Sequence, residues 1–138
     1  MTQLYIIDTN VLVAGLISSQ KDSPVLAIVD AMLKGEIIYV LSPALIQEYR
    51  EVLLRPKLSK IHGLNEEEID QLLTDIIANA VFCEPPEGLE KAPDLGDNHL
   101  WDLLQDNSGS ILITGDKLLL KKPLKGASVI APSQLVLS

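Results

Sequence analysis

Short apolar runs, each followed by a helical pattern, recur along this chain, and that alternation limits its fold more than any other feature. Leu4-Tyr5-Ile6-Ile7 mixes β-branched and aromatic residues as a buried strand does. Val11 to Ile17 then reads as helical. Ser23-Pro24 supplies a cap and a first-turn proline for a helix over Val25 to Leu33, with Gly35 as its stop. Ile37 to Leu41 is a second strand. Ser42-Pro43 opens a helix running to about Leu54, before Arg55-Pro56. Asn65 followed by Glu66, Glu67 and Glu68 predicts a capped helix with Glu68 at the capping-box position. Val81-Phe82-Cys83, Ile111-Leu112-Ile113 and Val129-Ile130 complete the strands. A Pro- and Gly-rich loop fills residues 84–96, and a helix covers His99 to Gln105 with Asp97 near its N-cap.

Strands separated by helices build βαβ units. The expectation is one three-layer α/β/α domain over residues 1–138, around a central, mostly parallel sheet. A length of 138 residues suits a single domain, and at 47% hydrophobic the chain can close a core. Neither a disulfide nor a structural metal is needed, because a domain of this size buries about 68–70% of its unfolded surface. The lone Cys83 has no internal partner and suits a reducing cytoplasm. The segment MTQLYIID lacks the basic start of a signal peptide, and no apolar run approaches a membrane span. A formal charge of −8 argues, on its face, against a nucleic-acid partner.

The placement of the acids complicates that last exclusion. In open parallel α/β sheets, chemistry gathers at the carboxyl ends of the strands. Asp8 directly follows the first strand, and Asp116 comes three positions after Ile113, past Thr114 and Gly115. Glu48 lies at the border of the apolar stripe formed by Leu45, Tyr49 and Val52, so it can be partly buried and still reach a cleft. Asp97 begins a helix, where backbone N–H groups would hold its carboxylate. Four carboxylates packed together repel one another. A hard divalent cation relieves that repulsion, and an all-oxygen shell suits Mg²⁺ or Mn²⁺. Such an ion activates water and neutralises charge on a phosphoryl oxygen, so an acidic cluster is a means of attacking phosphate.

Four stretches of the chain resemble the PIN-domain ribonucleases, in particular the bacterial branch of toxin–antitoxin toxins. Asp8-Thr9-Asn10-Val11-Leu12 is similar to the first motif of the family. The run Leu45 to Leu53 resembles the second, its Glu aligning with Glu48. Asp94-Leu95-Gly96-Asp97-Asn98 resembles the third, and Thr114-Gly115-Asp116-Lys117 the fourth. Leu95 and Gly96 depart from the family by replacing a Pro and an acid, which leaves Asp94 and Asp97 as alternative ligands, with Asp97 preferred. Leu118 stands where this branch often has Asp. The resemblance implies metal-dependent hydrolysis of RNA phosphodiesters, leaving a 5′-phosphate and a 3′-hydroxyl. It implies one or two Mg²⁺ or Mn²⁺ ions on Asp8, Glu48, Asp97 and Asp116, with Thr9, Asn10 and Thr114 in support. It also implies single-stranded RNA, an antitoxin protein and a second copy of the chain as partners.

Each residue also has a plainer reading. Asp8, Asp97 and Asp116 taken singly are turn or cap residues, Glu48 is a solvated helix position, and Asn10 is a loop anchor. His99 is a surface or packing histidine, since no second His or Cys stands at zinc spacing. Trp101 reads as core, and His62 and Cys83 carry no functional reading. No phosphate-cradling glycine motif is present. Two other classes compete: a catalytically silent RNA-binding or interaction module, and a phosphoacceptor receiver domain. The receiver needs an acidic pair after the first strand, where Asp8 stands alone. Within the nuclease reading, a housekeeping RNA-processing enzyme is the alternative to a toxin.

The charge is unevenly distributed. Residues 50–62 carry net +3 and residues 117–138 net +4, against −12 over residues 63–116. The two basic segments directly follow Glu48 and Asp116. Read plainly, they are solvated loops; alternatively, Arg50, Arg55, Lys57, Lys117, Lys121 and Lys122 grip the RNA backbone. Screening acts over about 8–10 Å, so local sign matters more to a phosphate than total charge.

Overall fold

The computed structural model describes residues 2–135. Five strands, Leu4–Ile7 (β1), Ile38–Leu41 (β2), Val81–Phe82 (β3), Ile111–Ile113 (β4) and Ser128–Ile130 (β5), form one parallel sheet in the order β3-β2-β1-β4-β5. The helices are Thr9–Ile17 (α1), Pro24–Leu33 (α2), Pro43–Leu53 (α3), Pro56–His62 (α4), Glu66–Ala78 (α5), Asn98–Asp106 (α6) and Lys117–Lys121 (α7). Every paired strand runs parallel, in line with the mostly parallel sheet expected from the sequence. A parallel pair needs a crossover, and crossovers are right-handed. Connections running outward from β1 to β3 therefore place their helices on one face, where α1, α2, α3 and α5 pack on one another. The chain then returns across the sheet. α6 packs on β1 and β4, and α7 on β5, giving the second helical layer.

The sheet's centre is buried on both sides. Ile6, Ile7, Leu112 and Ile113 are consecutive yet fully buried, as a two-faced sheet demands. Two tyrosines fill the space between sheet and helices, and each satisfies its hydroxyl there. Tyr39 donates to the Ile76 carbonyl at 2.6 Å, and Tyr49 donates to the Ile7 carbonyl. Burial pushes the Tyr39 phenol up to about 12 and lifts Tyr49 well above its ordinary value. Gly15 lets α1 and α2 approach closely: a Cβ there would meet Val29 Cγ2 at 2.4 Å and the Val25 carbonyl oxygen at 2.6 Å.

Local signals hold with a few corrections. Ser42 caps α3 by accepting from Leu45 N at 3.1 Å, and Asn65 and Glu68 form the reciprocal capping box of α5. Ser23 precedes α2 without a side-chain cap bond. α3 ends at Leu53, before Arg55-Pro56 as expected, and the same dipeptide also starts α4, because proline is at ease in a first helical turn. The basic stretches are accordingly not plain loops: α4 carries Lys57 and Lys60, and α7 runs from Lys117 to Lys121. No helix among the described residues is long and apolar enough to cross a membrane.

Candidate active site

Neighbouring β1 and β4 leave the sheet's carboxyl edge side by side, at the point where strand order reverses. β1 has β2 on one side and β4 on the other. Open α/β sheets leave a crevice at such a point, and Asp8 and Asp116 arrive there on adjacent strands. Asp8 N extends the ladder by donating to the Ile113 carbonyl at 3.0 Å, and Thr114 N does the same to Ile130. The two loops are then tied through side chains. Asn10 Oδ1 accepts from Gly115 N at 2.9 Å, while Asn10 Nδ2 donates to Asp8 Oδ2 at 3.2 Å. Thr114, fully buried, donates its hydroxyl to Asp8 Oδ2 at 2.7 Å and accepts from Asp116 N at 3.0 Å. Gly115 has room for nothing larger without displacing Asn10, whose Oδ1 lies 3.3 Å from where a Cβ would sit.

Asp8 is 4% exposed and also accepts from Thr9 N at 2.7 Å. Burial raises its carboxyl pKa, and the bonds from Thr114 and Thr9 work against that rise. Asp116 caps α7 by accepting from Leu118 N at 2.9 Å. Glu48, reaching across from α3, has both carboxylate oxygens engaged. Thr9 Oγ1 donates to Oε1, and His99 Nε2 meets Oε2 at 3.1 Å. The His99 contact does most to hold Glu48 below its usual range, against the cost of burial.

Asp97 behaves differently from expectation. It stands at the N-cap of α6, yet its side chain makes no cap bond. The preceding 3-10 turn, Leu95–Asp97, is capped by Asp94, which accepts from Gly96 N at 2.9 Å. The loop geometry explains the exchange: Asp94 is spent on the turn, which leaves Asp97 free to face the other acids. Desolvation, with the charges of Asp8, Asp116, Asp94 and Glu48 added, pushes Asp97 up to about 6. Asp8, Glu48, Asp97 and Asp116 line one cleft of about 610 Å³, to which Asp94 does not contribute.

The donor set fits a hard divalent cation in its chemistry: carboxylate oxygens facing one cleft, with a repulsion that Asp97 registers directly. The carboxylates are spread around the cleft, however. Among the described residues, no three Asp, Glu, His or Cys side chains are gathered closely enough to hold an ion between them. Asp8, Glu48, Asp97 and Asp116 are the residues that would hold it, and Thr9, Asn10 and Thr114 already fix the orientation of two of them.

A family model described as the PIN domain matches residues 5–118, which run from β1 through all four acids to the start of α7. The chain belongs to the PIN domain family. It is also 32% identical over 115 residues to an uncharacterized protein of Methanocaldococcus jannaschii, covering 83% of this chain and 72% of that one. PIN domains are generally nucleases, so the coarse functional class follows from membership.

Within this PIN domain the basic candidates separate. Arg55 lines the acidic cleft. Arg50 turns the other way, bonding Asp70 at 2.8 Å and Glu66 at 2.7 Å on α5, and those partners hold its guanidinium above its ordinary range. Arg50 thus points to α5 and does not line the cleft. Lys57, Lys117, Lys121 and Lys122 are exposed and lie outside the cleft lining. Trp101 is core, at 2% exposure. His99 is the residue that sequence reasoning passed over. It is neither a surface nor a packing histidine but the partner of Glu48, and its Nδ1 is buried without a hydrogen-bond partner. Its one available signal was its place two positions after Asp97, on the first turn of α6.

Proposed function

We propose that this PIN domain is a metal-dependent endoribonuclease. In this reading Asp8, Glu48, Asp97 and Asp116 hold one or two Mg²⁺ or Mn²⁺ ions. One observation carries it: acids from four separate segments line a single cleft, at the crevice where α/β sheets place their chemistry. A structural cluster would be expected to pair its carboxylates with cations. Here Asp97 is instead raised to about 6 by burial and by its acidic neighbours.

When bound, a divalent ion would activate water and offset charge developing on the scissile phosphoryl group. The chain's own residues perform the positioning. Thr114 and Asn10 hold Asp8 Oδ2, and Thr9 N holds Oδ1, so the orientation of the Asp8 carboxylate is set in advance. Thr9 and His99 fix Glu48 on the facing wall. Arg55, exposed in the lining of the same cleft, is the one positive side chain there among the described residues and would attract the RNA backbone into an acidic pocket. An Arg is suited to this because its planar fork can bind a phosphate bidentately.

The test is cleavage of single-stranded RNA. Activity should require Mg²⁺ or Mn²⁺, stop in EDTA, and be lost in Asp8→Asn and Asp116→Asn. Full activity in EDTA, or in both variants, would overturn the proposal. Absence of Mn²⁺ binding would favour the silent RNA-binding module. A narrower form of the proposal makes the chain the toxin of a toxin–antitoxin pair, with an antitoxin and a second copy as partners. It expects growth arrest on expression that Asp8→Asn abolishes; normal growth would return the chain to RNA processing.

A further inference from the structure

The acidic cleft continues beyond the acids. α1 presents Val13, Ala14 and Ile17 to it, and the α3 side presents Glu51, Val52 and Arg55. Helical spacing from an acid-site residue places most of them. Val13, Ala14 and Ile17 lie three, four and seven positions after Asn10 on α1, and Glu51 and Val52 lie three and four after Glu48 on α3, while Arg55 stands past the end of α3, at the start of α4. One face of each helix therefore runs from the acids into a groove with aliphatic walls. Nothing about holding a cation or a phosphate calls for this apolar extension, and leaving aliphatic groups such as Ile17, 36% exposed, in contact with water is unfavourable.

We propose that the groove between α1 and α3 is a subsite for one unpaired nucleobase of the substrate, next to the phosphate at the acids. The inference rests on the nuclease reading above and deepens it. A nucleic acid whose phosphate sits at the carboxylates can place a ribose, a base or the next phosphate beside them, and of these the base alone has apolar faces. Val13, Ala14, Ile17 and Val52 supply aliphatic surface for those faces. Arg55 brings a planar cation that can lie against a ring or bind the next phosphate. Glu51 offers an acceptor for an exocyclic amine, the kind of edge contact that discriminates among bases. A paired base has both faces stacked inside a helix and cannot enter, so the subsite selects single strands or loops. The whole cleft, about 610 Å³, falls in the range that takes a small ligand.

The experiment uses the full chain with Mg²⁺ and follows methyl and amide NMR signals. The probes are adenosine 5′-monophosphate, uridine 5′-monophosphate and ribose 5-phosphate. The nucleotides should shift the methyls of Val13, Ala14, Ile17 and Val52, whereas ribose 5-phosphate should shift only amides at the acidic end, such as Asn10 and Gly115. Ile17→Glu should weaken nucleotide binding by roughly tenfold and leave ribose 5-phosphate binding unchanged, which also shows that the variant is folded. Nucleotides and ribose 5-phosphate giving the same response would overturn the subsite while sparing the nuclease reading. Neither class binding at Asn10 and Gly115 would bring down both. Methyl shifts with a Leu- and Arg-rich peptide, and none with nucleotides, would overturn the subsite in favour of a protein segment.

Discussion

Asp97 shows how a single position can be placed by the sequence and misjudged in its state. Its location at a helix start was legible, but the Asp94 cap that releases it came from the turn geometry of the loop. Its raised pKa has a thermodynamic consequence. Folded, the group titrates at about 6 instead of its ordinary 3.8, so between those values the folded chain holds more proton than the unfolded one. Stability contributed by that proton is full below the unfolded pKa and is lost as pH rises through the folded one. In EDTA, Asp97→Asn should therefore melt higher than the parent chain at pH 7 to 8, and the gap should close toward pH 4. Thermal melts across that range check it, and added Mn²⁺ should narrow the gap by stabilising the parent. His99 yields a second expectation. Its contact with Glu48 is a long-range one, between helices 51 positions apart, so no local pattern announced it. Partners that orient metal ligands are typically worth about 10–100-fold in affinity. His99→Phe should weaken Mn²⁺ binding by that order in a titration of free Mn²⁺, and His99→Gln, which keeps an N–H at similar reach, should recover part of it.

At the level of elements, the capped helices were the most readable because their signals are local. Asn65 and Glu68 satisfy each other's backbone groups within four residues, and the structure repeats that pattern. α4 and α7 were missed for the opposite reason. They are short, of 7 and 5 residues, and helices that short are marginal alone, so packing decides whether they form. The α1–α2 contact is likewise tertiary. It depends on Gly15, where a methyl group would collide with Val29 and the Val25 carbonyl. Gly15→Ala should raise helix propensity and nevertheless destabilise the fold, by about 1–3 kcal/mol from overpacking. Denaturant melts give the sign directly, since propensity alone would make the variant more stable.

Over the whole molecule, the charge of −8 does not describe what a phosphate would meet. Asp8, Glu48, Asp97 and Asp116 line the candidate cleft, and positive charge lies beside them on Arg55 and elsewhere on exposed lysines of α4 and α7. Pairing Lys121→Ala with Lys122→Ala should weaken RNA binding and flatten its dependence on salt. Each lost phosphate contact removes roughly 0.7 from the slope for a single strand. Measurements between low and physiological salt check this, and an unchanged slope would place those lysines off the RNA path.

The alternation of apolar runs and helical stretches sufficed for the parallel α/β class, because strand and helix periods and their caps are properties of neighbouring residues. It also put acids at strand ends and helix starts, and the four motif-like stretches with them. The strand order, by contrast, came only with folding. β1 lies between β2 and β4, which brings Asp8 and Asp116 to one crevice across more than a hundred residues of chain. The Glu48 clamp, the pairing of Arg50 with α5 and the aliphatic groove beside the acids have the same origin. Each depends on which surfaces meet when two helical layers close on a sheet, and that is settled by packing between segments distant in the chain.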